Sequence, residues 1–66
     1  MPFADAKVEK LIRNAGARRV SAGAIKAMNE ILTAKGTSIA KHAIEIAKHS
    51  GRKTVVEGDI KLASEK

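Results

Sequence analysis

SAGAIKAMNEILTAKGTSIAKHAIEIAKH, residues 21–49, decides how this chain folds. Met28, Ile31, Leu32, Ile39, Ala43 and Ile46 share one stripe of a 3.6-residue helix, and Leu32, Ile39 and Ile46 keep a constant step straight across Gly36. Gly36 is the weak point, because glycine costs about 1 kcal/mol against alanine in a helix interior and Thr37 or Ser38 offers a fresh cap for a hairpin. A break normally resets the phase of an apolar stripe. Here the phase survives, so the spacing predicts one continuous helix, roughly 42 Å long at 1.5 Å per residue.

The flanks are punctuated on both sides. Upstream, Ser21 offers its hydroxyl as an N-cap, and "AGARRV" before it carries Gly16 as a helix stop with Arg18, Arg19 and Val20 in the connection. A first short helix is expected over Asp5–Asn14, with Val8, Leu11, Ile12 and Ala15 on its apolar face, Lys7, Lys10 and Arg13 on another, and Asp5 as its cap. Downstream, "HSGRKTVVEGD" carries Gly51 as the stop, Arg52 and Lys53 in the loop, and an extended Thr54–Val56. A third helix is expected over Glu57–Glu65, burying Ile60, Leu62 or Ala63. Glu57 and Asp59 suit its positive end, and Gly58 in its first turn should make it fray.

The expected architecture is all-α, a single domain over 1–66. With 66 residues the chain buries only about 60% of the surface its unfolded form exposes, so something must supplement the core. There is no Cys, and two His are too few for a closed metal site, so no metal is expected. One Phe and no Trp or Tyr leave a core of aliphatic residues. Two short helices cannot cover the long helix's stripe, and an equivalent helix from a second copy is the economical cover. Met28, Ile31, Leu32, Ile39 and Ala43 are accordingly assigned to a homodimer core.

A formal net charge of +6 and a pI near 10.1 point to a polyanionic partner, nucleic acid or an acidic membrane surface. No apolar run approaches the ~18 residues of a membrane span, and the N-terminus lacks a charged segment followed by an apolar one, so a cytoplasmic protein is expected. Membrane-surface binding is disfavoured, since the stripe is needed for pairing and aromatic anchors are missing. Enzymatic activity is not expected: there is no nucleophile with its base, no convergent carboxylates and no strand-borne glycine loop. Neither cofactor nor small-molecule substrate is therefore anticipated. Three basic sets remain: Lys10 with Arg13, Arg18 with Arg19, and Arg52 with Lys53, each at or near a helix terminus, where free N–H groups already attract phosphate. The plain alternative is a solvated loop surface. Without aromatics to stack on bases, double-stranded DNA is favoured over single strands or RNA.

"LIRNAGARRVS" (11–21), "SIAKHAIEIAKHSGRKTV" (38–55) and "GDIKLA" (58–63) resemble the archaeal histones, and the resemblance runs nearly the whole chain. It implies the histone fold and a handshake homodimer, in which two long helices cross and loop one of each protomer lies beside loop two of the other. It further implies that DNA bends around the dimer, with Arg19 in the minor groove and Thr54 orienting Arg19 or donating to a phosphate; Ser21 is counted among the DNA contacts. Sequence preference should be weak and set by bendability. Association with the nucleoid follows, and a histone paralogue is a further candidate partner.

Between dimers, the resemblance implies a His49–Asp59 pair with apolar support from Ile46 and Leu62. Against it, His49 also suits a helix C-terminus, and Asp59 also suits Arg52 of its own chain. Gly16 reads either as a helix stop or as a close-approach point between stacked dimers, and His42 as a core-edge residue rather than a ligand. Two departures from the family pattern, Arg18 and the acid-free "SAGA" at 21–24, remove repulsion of phosphate. Glu65, where basic residues are common, places extended polymerisation in doubt. A helix-turn-helix regulator built on Ser38–His49 and Val55–Glu65 is disfavoured because its second helix would present Glu57, Asp59 and Glu65 to DNA. A module that pairs only with proteins is disfavoured by the cations of both loops.

Overall fold

In a computed structural model, residues 3–65 are described. They form three helices, α1 (Asp5–Asn14), α2 (Ala22–His49) and α3 (Glu57–Ser64), with no strand among the described residues. The short–long–short order expected from the apolar spacing is present, and α2 runs uninterrupted through Gly36. A Cβ built at Gly36 meets nothing within 4 Å, so glycine is not demanded there by any neighbour.

Both loop-forming stops work the same way. At the end of α1, Gly16 takes φ +121° while its N–H reaches the Arg13 carbonyl at 2.9 Å and the Ala17 N–H reaches Ile12 at 3.4 Å. At the end of α2, Gly51 takes φ +77°, its N–H reaches Lys48 at 2.9 Å, and the Arg52 N–H reaches Ala47 at 2.9 Å. These paired bonds are Schellman turns, which satisfy the last carbonyls of a helix through a left-handed residue that glycine adopts without strain.

The chain divides into two compact units, Met1–Ala34 and Lys35–Lys66. In the first, Val8 is the buried aliphatic residue, with Ile12, Ile25, Met28 and Leu32 half-buried. Asn29 is completely buried as well: its Nδ2 donates to the Phe3 carbonyl at 2.9 Å, while its Oδ1 meets no donor among the described residues. In the second unit the core consists of Ala43, Ala47 and Ala63 together with the carboxylate of Asp59.

One expectation needs correction. Asp5 does not cap α1; Ala4 occupies the N-cap, its carbonyl accepting the Lys7 and Val8 N–H groups, and Asp5 sits in the first turn, where its charge suits the dipole. In α3 the expected burial falls on Ala63, with Ile60 and Leu62 exposed. α3 begins at Glu57, as expected, and its start is held by Asp59, which accepts the Val56 N–H at 2.9 Å and returns its own N–H to the Val56 carbonyl at 3.0 Å. Ala43, assigned to the pairing seam, is already 0% exposed within its own chain, whereas Ile31 is 60% exposed. Among the described residues no helix is long and apolar enough to cross a membrane.

Candidate nucleic-acid interface

In the first unit, loop one is held at both ends. The Arg13 guanidinium donates through Nε to Glu9 at 2.9 Å and through Nη1 to the carbonyl of Arg18 at 2.9 Å, drawing the loop back toward α1. At the far end the Ser21 hydroxyl accepts the Ala24 N–H at 3.0 Å, capping α2 as its sequence suggested. Between these anchors Arg18 and Arg19 are exposed, and neither enters an ion pair among the described residues. Arg19, Val20, Ser21 and Ala24 line a shallow concavity with Ile12. α2 has no acidic residue in its first turn, so its positive end is not neutralised from within. Lys10 is exposed on α1.

Loop two, in the second unit, is built differently. Arg52 donates from Nη1 and Nη2 to the two oxygens of Asp59, each at 2.8 Å, and from Nη1 to the Thr54 carbonyl at 3.1 Å. Asp59 is 3% exposed, and the Val56 N–H takes another of its acceptor positions. The Arg52 guanidinium and the backbone N–H together hold the Asp59 carboxyl down at about 2, below its usual 3.8, and the same bond pushes Arg52 further up. Lys53 and Thr54 are exposed on this clamped turn, and Lys53 enters no ion pair among the described residues.

The residues assigned to phosphate therefore separate into two kinds. Lys10, Arg18, Arg19 and Lys53 carry exposed charge with no carboxylate within ion-pair distance among the described residues, while Arg13 and Arg52 are engaged inside the chain and shape the loops. Sequence reasoning missed the Arg13 contact to loop one and the burial of Asn29. The Glu9–Arg13 spacing of four was a usable signal for the first; nothing in the sequence signals the second. For the contacts assigned between dimers, His49 is exposed at the end of α2, Leu62 is exposed, and Ile46 is half-buried. Asp59 already has three bonds on a carboxylate that offers about four acceptor positions. Gly16 occupies the left-handed position of its turn, so its capping role is met within the chain. Among the described residues no three His, Cys, Asp or Glu gather as metal ligands.

The sequence matches the family described as histone-like transcription factors (CBF/NF-Y) and archaeal histones over residues 1–63. It is 48% identical over 58 residues to one of the subunits of archaeal histone HAN1 from Thermococcus zilligii, an alignment covering 88% of this chain and 87% of the relative. It is 41% identical over 54 residues to probable archaeal histone 3 of Methanocaldococcus jannaschii, covering 82% of this chain and 81% of the relative.

Proposed function

Because this chain belongs to the family of histone-like transcription factors and archaeal histones, with archaeal histones as its relatives, we propose that it packages DNA as a pair of histone folds that grips phosphate without reading sequence. It is a DNA-binding, chromatin-type structural protein and not an enzyme. The observation that carries the finer reading is the free charge of Arg18, Arg19 and Lys53 on loops whose backbone is fixed by other residues. Side chains held this way meet phosphate without first ordering a loop.

In the proposed pair, the α2 stripe through Met28, Leu32 and Ile39 is covered by the α2 of a second chain, in the first instance a copy. Loop one of each then lies beside loop two of the other. Arg19 enters the narrowed minor groove, Thr54 orients it or donates to a phosphate, and Ser21 presents the positive end of α2. Lys10 and Lys53 extend the grip, while Arg13 and Arg52 keep their structural bonds. Pairs associate further through Ile46, His49 and Leu62, with the remaining lone pair of Asp59 as the acceptor for His49. The protein works on the chromosome, within the nucleoid.

Titration of a random-sequence duplex in rising salt tests this. Each neutralised phosphate adds about 0.9 to the log–log slope, and the acid-free start of α2 together with Arg18 makes the slope steeper than for a relative with acids there. A nearly flat response, or strong preference for one sequence, overturns the proposal. Sedimentation with and without DNA tests pairing, and a chain stably folded as a singleton removes it. Crosslinking of His49→Ala on DNA tests association between pairs, with a shortened ladder expected.

A further inference from the structure

We infer that Asn29 is the positioning residue that sets where α1 presents Lys7 and Lys10 to the DNA backbone. The inference rests on the reading that this chain grips phosphate, and it adds a residue that touches no DNA itself. Asn29 lies in the α2 portion of the first unit and is the largest completely buried side chain among the described residues. Its Nδ2 donates across 26 positions of sequence to the Phe3 carbonyl at 2.9 Å. Phe3 precedes the N-cap, Ala4, whose methyl group cannot cap, so the start of α1 is held from α2 and not by its own cap. Val8 is buried one turn further along, and with Phe3 it gives this half of α1 two fixed points.

The residue type points to placement and not to stability. Asparagine is a poorer helix former than leucine, and burial strips water from an Oδ1 that meets no donor among the described residues. An aliphatic side chain of similar size is buried there at less cost, and the Phe3 carbonyl, carried by an exposed residue, can then turn to water. What asparagine adds is direction. Apolar contact at Val8 is non-directional and tolerates small rotations of the helix, whereas a hydrogen bond fixes the distance and angle of one carbonyl. Lys7 and Lys10 are neighbours on the surface of α1, both are exposed, and neither enters an ion pair among the described residues. Placed by the tether, these two cations meet phosphate without first ordering the start of the helix. Released from it, they lose more conformational freedom on binding and contribute less affinity.

A mutant cycle on the full chain tests this, with affinity for a random-sequence duplex read at moderate salt. Lys7→Ala/Lys10→Ala is expected to weaken the wild type about tenfold but the Asn29→Leu variant only about threefold, whereas Arg19→Ala on loop one costs the same, about tenfold, in both backgrounds. Equal losses for the lysine pair in both backgrounds, or a coupling of Asn29 to Arg19 as large as its coupling to the lysines, overturn the inference and leave the proposed function standing. Wild type that does not bind duplex overturns both. The thermal midpoint of Asn29→Leu is expected to fall by no more than about 5 °C; a larger fall, or loss of the folded state, assigns Asn29 to stability and overturns its positioning role. As a check independent of that variant, Lys7→Ala alone should lower the log–log salt slope by about 0.9, and an unchanged slope removes Lys7 from the grip and overturns the inference.

Discussion

Loop one and loop two end their helices with the same glycine turn, yet they treat their arginines in opposite ways. Loop one is anchored from outside, by Arg13 reaching the Arg18 carbonyl and by Ser21 capping α2, and its own two arginines enter no ion pair among the described residues. Loop two is anchored from within: Arg52 belongs to the loop and is clamped to a buried Asp59. A basic pair in a loop is therefore not one kind of object. Its charges hold the backbone wherever a carboxylate is buried within reach, and face outward where none is.

The sharpest way to break the contrast is Asp59→Asn. It removes the partner of Arg52 and weakens the cap of α3 together, so the thermal midpoint should fall by on the order of 10 °C, read by circular dichroism. Acid titration probes the same clamp. Because the Asp59 pKa is depressed, its stabilisation is fully present above the ordinary value of 3.8 and is lost as pH falls through about 2. Wild-type melts should drop over that window, and Asp59→Asn should flatten the dependence; an unchanged acid limb would show that the clamp does not hold loop two.

Arg19→Ala comes next and should act on the opposite side of the contrast. Duplex affinity is expected to fall about tenfold at moderate salt while the melting temperature holds, because the side chain makes no ion pair among the described residues. A comparable fall in stability would place Arg19 with the holders. Ser21→Ala should lower stability by about 1 kcal/mol, the usual value of a serine cap, in chemical denaturation at constant m. The smallest effect is expected from Arg13→Met, whose exposed pair with Glu9 contributes about 0–1 kcal/mol at most. Its signature is increased hydrogen exchange confined to loop one.

Much of this was legible in the sequence. Gly16, Ser21 and Gly51 marked helix ends because those residue types supply the backbone conformations and caps that ends require, and the unbroken phase through Gly36 gave the length of α2. Asp59 as a partner of Arg52 was open to reading alongside His49. Asn29 was not legible, since an asparagine within a helix reads as surface, and its burial depends on the Phe3 carbonyl lying against it. The covering of Ala43 by its own chain was hidden for a related reason: periodicity gives a residue's side of the helix but not which chain covers it. The difference between Arg13 and Arg18 was likewise hidden, because a guanidinium's partner is set by geometry and not by its neighbours in the chain.

The interior of alanines ties this protein's persistence to its abundance. With Ala43, Ala47, Ala63 and Val8 as the buried apolar residues among those described, a solitary chain gains little from staying folded. For the proposed pair, the melting point is therefore expected to climb with total chain concentration, read by circular dichroism over a dilution series. Under that proposal an unpaired copy is the form expected to open to proteolysis, and pairing is what sets the protein's lifetime.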